Sequence, residues 1–150
     1  MKLKATFGGG WFWNTEAKFA QLHGVVDTTV GYMGGNTENP TYEEVCSNTT
    51  GHIEVVQVTY DDEVICYNEL LKRFFGIHDP TSWDSQNSDE GEQYRSVIFC
   101  HNVEQQNLAK EYINQLSTGK KYTKPIVTVI KQATTFYKAE EYHQQYYEKH

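Results

Sequence analysis

The 150-residue chain has no apolar run long enough to span a bilayer. Its first residues, Met1-Lys2-Leu3-Lys4-Ala5-Thr6-Phe7, also lack the apolar centre of a signal peptide. These absences predict a cytoplasmic protein with no membrane partner. Basic residues are few, 13 against 20 acidic ones, and the net charge of -7 argues against nucleic acid, whose phosphates need clustered Lys and Arg. Three cysteines, Cys46, Cys66 and Cys100, are odd in number and form no Cys-x-x-Cys pair, which excludes a disulfide framework. They read as reduced, mostly buried filling, since free cysteine packs as a small hydrophobe. No second thiol stands near the C-terminus to resolve an oxidised one. Repeats, low-complexity tracts and linkers are absent too, so residues 1–150 read as one domain, large enough for its own core.

What is abundant is aromatic: 14% of the chain, with 11 tyrosines, enough for an aromatic core or for a tyrosine-lined pocket. Strands are expected at Leu3 to Phe7, Val25 to Tyr32, His52 to Tyr60, Arg95 to His101 and Ile126 to Ile130, all rich in β-branched or aromatic residues. Helices are expected over 14–22, Tyr42 to Cys46, a segment carrying Val64, Leu70, Leu71, Phe74 and Phe75 and ending about His78, Val103 to Leu116, and Ala139 to Tyr147. Asp79 to Gln93 reads as a long polar loop, a length that more often carries function than not. The order strand-helix-strand-strand-helix-strand predicts an α+β, ferredoxin-like two-layer sandwich with helices on a largely antiparallel sheet.

The glycine run Gly8-Gly9-Gly10 joins the first strand to the first helix. A strand, a permissive turn and a helix start, with its unpaired N–H groups, favour an anion at about position 11. A cysteine there would have its thiolate stabilised. The residue is Trp11, which donates one hydrogen bond and cannot attack. His52 and Glu54 share a strand face and could ligate a metal, but no third ligand stands nearby, so no metal site is expected.

Four segments carry a family pattern: Gly10-Trp11-Phe12-Trp13, Thr41-Tyr42-Glu43-Glu44-Val45-Cys46, Thr50-Gly51-His52-Ile53-Glu54 and Asp89-Glu90-Gly91-Glu92-Gln93-Tyr94-Arg95-Ser96. Together with His78-Asp79-Pro80-Thr81 and Ala139-Glu140-Glu141-Tyr142-His143-Gln144, they make the chain resemble the A-type peptide methionine sulfoxide reductases over essentially its whole length. The resemblance implies a cysteine or selenocysteine at position 11 that attacks the sulfur of methionine S-sulfoxide. It implies Glu54 as the acid toward the sulfoxide oxygen, its pKa raised in an apolar pocket, with Tyr42 and Tyr94 as hydroxyl donors beside it. Phe12 and Trp13 would hold the substrate's methyl group and Asp89 would orient its main chain. No bound cofactor is implied, only an external thiol reductant: a thioredoxin, a glutaredoxin or a small dithiol.

At position 11 the chain departs from the family's Gly-Cys-Phe-Trp. Three readings stay open: a selenocysteine UGA codon rendered as Trp, a cysteine knockout, or natural loss of catalysis that leaves a binding module for oxidised methionine. The lack of a resolving cysteine fits the selenocysteine, single-nucleophile variety. In each reading the chain as written lacks its covalent nucleophile and should not turn over.

Overall fold

The computed structural model describes residues 1–9, 12–46, 50–77, 80–81, 85–86, 89–90, 96–119, 122 and 125–146; at 12, 85–86 and 89–90 only the backbone is described. The elements run β1 Lys2–Gly8, α1 Phe12–Ala20, β2 Val25–Met33, α2 Tyr42–Cys46, β3 Ile53–Asp61, α3 Tyr67–Gly76, β4 Ser85–Gln86 and β5 Asp89–Glu90. They continue with β6 Val97–Cys100, α4 Val103–Thr118, β7 Val129–Gln132, β8 Tyr137–Lys138 and a 3-10 turn at Glu141–His143. Six strands form one sheet in the order β7-β6-β1-β3-β2-β8. Its centre, β6-β1-β3-β2, is antiparallel throughout and built from a βαββαβ run, the ferredoxin-like arrangement expected. Strand β7 adds in parallel beside β6, as a connection through a helix requires, and β8 adds antiparallel beside β2.

Alternation along the strands sorts the side chains onto two faces. Ala5 and Phe7, Val30 and Tyr32, Val56, Val58 and Tyr60, and Ile98 face the helices, packed with Phe19, Leu70, Leu71 and Phe74. Phe7 stacks on Phe19 with centroids 5.0 Å apart, so the first strand and first helix meet ring to ring. The opposite face carries Met33, Ile53, Val55, Val97 and Phe99, covered by Val129, Ala133 and Phe136. Gly31 allows the last segment to lie this close to β2: a Cβ there would run into the Tyr137 carbonyl and the Phe136 ring.

Several expected boundaries shift by one to three residues. Helix α3 starts at Tyr67 and leaves Val64 outside, half-exposed in the preceding turn. The strand expected at Ile126 begins at Val129, because the backbone of Val127 is bonded to Pro80 instead. Of the expected loop 79–93, the described part holds a two-stranded hairpin of β4 and β5. The closing helix expected over 139–147 is the clearest correction, since residues 139–145 hold no α-helix, only the one 3-10 turn, and among the described residues of this segment helical backbone stands at Tyr146 alone. Ala139 instead donates from its backbone N–H to the Val30 carbonyl, Glu140 is extended, and Gln145 sits at φ 47. The amide of Gln144 completes the rung. Its Oε1 accepts from the Val30 N–H at 2.9 Å, and its Nε2 donates to the Val30 and Ala139 carbonyls at 2.9 and 3.0 Å. A side chain that bonds like a strand backbone holds the segment to β2, and a helix could not keep those contacts.

Candidate active site

The site is built where β2, β3, α2 and the closing segment meet. Tyr32 on β2 pairs directly with Glu54 on β3, and both side chains point to the helix side of the sheet. Glu54 is 2% exposed and Tyr32 fully buried. Directly opposed strand neighbours lie about 5 Å apart at Cβ, so the carboxyl and the phenol grow side by side from the floor.

Helix α2 has only five residues and would not persist alone. A reciprocal cap supports it: the Glu44 N–H donates to Thr41 Oγ1 at 3.2 Å, and the Thr41 N–H donates to Glu44 Oε1 at 3.0 Å. This cap, written in Thr41-Tyr42-Glu43-Glu44, sets where Tyr42 enters the helix. The Tyr42 N–H, free of an intrahelical acceptor at this first position, donates to Glu140 Oε2 at 3.1 Å. The other oxygen of Glu140 accepts from the Tyr32 hydroxyl at 3.0 Å. One carboxylate therefore joins the strand floor to the helix start.

Burial works to raise the Glu140 carboxyl, but the Tyr42 N–H, its own N–H and the Tyr32 hydroxyl outweigh it and hold it below the usual carboxylate range. Tyr32 moves the opposite way, far above the ordinary phenol range, first through burial and then through the charges of Glu140 and Glu54. Cys46, at the end of α2, lies in the same field. Burial raises its thiol, with Glu54, Glu43 and Glu140 adding to the rise, against a hydrogen bond with Tyr42. It is a thiol rather than a thiolate there.

The wall is aromatic. Trp13 on α1 stacks on Tyr146 with centroids 4.2 Å apart and on His143 at 5.5 Å, and Tyr42 tilts against His143 at 4.5 Å. The Trp13 indole N–H donates to His143 Nδ1 at 3.0 Å, which leaves the imidazole proton on Nε2. His143 is 1% exposed, and burial lowers its pKa despite the nearby Glu140 and Glu43 charges, so it is a neutral acceptor.

Of the residues expected from sequence, Tyr42 and Trp13 thus come together, rings 6.2 Å apart, and Glu54 stands on the floor beside Tyr32, which Glu140 ties to the Tyr42 N–H. Phe12 opens α1 and Asp89 opens β5, while Trp11 and Tyr94 lie outside the described residues. His52 is spoken for: its Nδ1 accepts from the Gly35 N–H at 3.0 Å and its Nε2 donates to the Thr37 carbonyl at 2.7 Å, pinning the loop before α2. Among the described residues no group of three or more His, Cys, Asp or Glu could hold a metal ion. Among these residues, too, no helix is long and apolar enough to cross a membrane. Cys100 is buried and Cys46 half-buried, but Cys66 is exposed just ahead of α3, so the filling role expected of the cysteines does not extend to it.

Sequence reasoning missed Tyr32, Glu140 and His143. The last two stand in the quoted stretch Ala139 to Gln144, but as members of an expected polar helix. Tyr32 had only strand alternation with Val30 to point it inward.

The model of the family "Peptide methionine sulfoxide reductase" matches residues 3–150. The chain is 53% identical over 146 residues to the peptide methionine sulfoxide reductase MsrA of Acidobacterium capsulatum, covering 97% of this chain and 94% of that one. Its fold is similar to the reduced form of Mxr1 from Saccharomyces cerevisiae, with a TM-score of 0.84 and 36% identity, covering 99% of this chain and 85% of that one. It is also similar to Mxr1 in complex with Trx2, with a TM-score of 0.62 and 28% identity, covering 97% of this chain and 84% of that one. With the family model spanning nearly its full length, this chain belongs to the peptide methionine sulfoxide reductase family.

Proposed function

We propose that the site is a reductase site for methionine S-sulfoxide, free or in proteins, whose nucleophile position holds Trp11. One observation carries the reading: Glu54 is buried on the sheet floor beside Tyr32, and Glu140 ties that tyrosine to the helix start at Tyr42, whose ring stacks on Trp13. A cysteine or selenocysteine at 11 attacks the sulfoxide sulfur. The S–O bond breaks as oxygen passes to the nucleophile, and methionine departs, leaving a sulfenic or selenenic acid. Negative charge builds on the oxygen during attack. A protonated Glu54 relieves it by donation, with hydroxyl donors from Tyr42 and Tyr94. Burial beside other carboxylates is what favours the proton on Glu54. Phe12 and Trp13 take the methyl group and so choose the epimer, and Asp89 orients the substrate's main chain. Two external thiols then restore the nucleophile and release water and a disulfide. The Mxr1–Trx2 complex supports a thioredoxin-type reductant.

With Trp at 11 the chain as written does not turn over, because no group on it can accept the oxygen. A selenoprotein origin of position 11, a single-domain organisation over 1–150 and a cytoplasmic role in repairing oxidised proteins belong to the same reading. Trp11 itself favours a second one, a module that binds methionine sulfoxide without reducing it. The two part in one assay, reduction of each sulfoxide epimer by Trp11→Cys with a small dithiol. Turnover of the S epimer alone, absent from the unaltered chain, supports the reductase. A folded Trp11→Cys without turnover, with both chains binding the sulfoxide, supports the module.

A further inference from the structure

We infer that Glu140 is a positioning residue of this site: its carboxylate clamps the Tyr32 hydroxyl to the Tyr42 backbone N–H, and its fixed negative charge keeps the proton on Glu54. The inference rests on the reading of Glu54 as the proton donor.

The geometry is that of a bridge between three separate pieces of chain. Oxygen Oε1 takes the phenol of β2 and Oε2 takes the first N–H of α2, at 3.0 and 3.1 Å, so both oxygens of one carboxylate are engaged. The residue that supplies it is held independently, since the next backbone group toward the sheet, the Ala139 N–H, is bonded to the Val30 carbonyl. Gln144, four residues on, is bonded to the same strand on two sides. Glu140 therefore cannot drift without unlacing the segment.

Its electrostatic consequence follows from what surrounds it. Two carboxyls, Glu54 and Glu140, act on the same phenol, Tyr32, and on the same thiol, Cys46. Two like charges so placed, Glu54 buried and Glu140 half-buried, cannot both ionise cheaply, and the one with more donors keeps the charge. Glu140 has those donors and lies below the ordinary range. The other titratable groups facing this space are Tyr42, Glu43 and Cys46 from α2, and Tyr142 and His143 from the closing segment. Burial holds the Cys46 thiol and the His143 imidazole in their neutral forms, and burial with the charges of Glu140 and Glu43 raises the Tyr142 phenol, so Glu140 is the fixed anion at the clamp.

The test needs no catalysis and uses the chain as it stands. Carboxyl carbons of labelled glutamate are followed by NMR across pH in the unaltered chain, in Glu140→Gln, and in Glu141→Gln, which alters an exposed neighbour. Removing the charge at 140 is expected to make Glu54 several-fold more acidic, while the change at 141 leaves it unmoved. A Glu54 titration that is the same with Glu140 and with Gln overturns the inference, as does an equal response to both changes. Should Glu140→Gln not fold, Tyr32→Phe serves. It removes one donor, so the Glu140 carboxyl should titrate at higher pH, and an unmoved Glu140 refutes the clamp. A purely structural glutamate would alter stability without moving Glu54. If Trp11→Cys fails to turn over, the function reading falls, and this titration still decides the inference.

Discussion

Replacing Gln144 by alanine should cost more stability than its place in a polar tail suggests. Gln144 is 2% exposed and makes three hydrogen bonds. Truncation leaves the Val30 carbonyl satisfied, because the Ala139 N–H still donates to it at 3.0 Å. The Val30 N–H and the Ala139 carbonyl lose their partners. A buried polar group left unsatisfied costs about 1–3 kcal/mol, so two give about 2–6 kcal/mol, reduced where water enters. For a chain of this size, at about 2–4 °C per kcal/mol, that is a fall in Tm of about 4–24 °C. Thermal unfolding followed by circular dichroism reads the change directly. Gln144→Glu should cost at least as much, since its acceptor-only carboxylate would face the Val30 and Ala139 carbonyls. A Tm for Gln144→Ala within about 2 °C of the parent, below the smallest shift that two lost partners allow, would refute the view that this amide holds the closing segment to β2.

Other outcomes follow from the same contacts. In a Trp11→Cys background, Glu54→Gln should lower kcat by about 10²–10³, the usual cost of removing one donor to a developing oxyanion, as measured by methionine release; an unchanged kcat would remove Glu54 from the chemistry. Thr41→Ala and Glu44→Ala should each cost about 0.5–2 kcal/mol but add to less than their sum in the double variant, because they share one cap, and denaturant unfolding of the four chains gives the cycle. His143 has its pKa lowered on folding, so the unfolded chain binds the extra proton more readily. Its contribution is complete above the unfolded value of about 6.5 and is lost as pH falls from there through the folded value. The stability of the parent should therefore decline in mildly acidic solution, and His143→Gln should flatten that decline.

The sheet was legible because its strands are dense in β-branched and aromatic residues and are separated by clear helical periods. β1, β2 and β3 came within a residue or two of their observed ends. The closing segment was misjudged for a physical reason. Its polar residues suit an exposed helix face, yet Gln144 and Gln145 are used as backbone substitutes. The Gln145 N–H and side-chain amide donate to Glu16 at 2.8 and 2.9 Å, and no local pattern announces a partner on α1. At the site, Glu54, Tyr42 and Trp13 could be picked out only through the family pattern. Glu140 and His143 were invisible as functional groups because their partners, Tyr32 and Trp13, stand 108 and 130 residues away. Contacts of that span come from tertiary packing, which periodicity does not encode.

The central claim is that this is a reductase site missing its nucleophile, and one single-turnover measurement tests it most directly. Trp11→Cys is mixed with methionine S-sulfoxide and no reductant, and both free methionine and the oxidation state of the introduced thiol are followed by mass spectrometry. The account predicts one methionine per chain with a matching oxygen or disulfide on that thiol, and nothing from the R epimer or from the unaltered chain. A folded Trp11→Cys that binds the S-sulfoxide yet releases no methionine would contradict it.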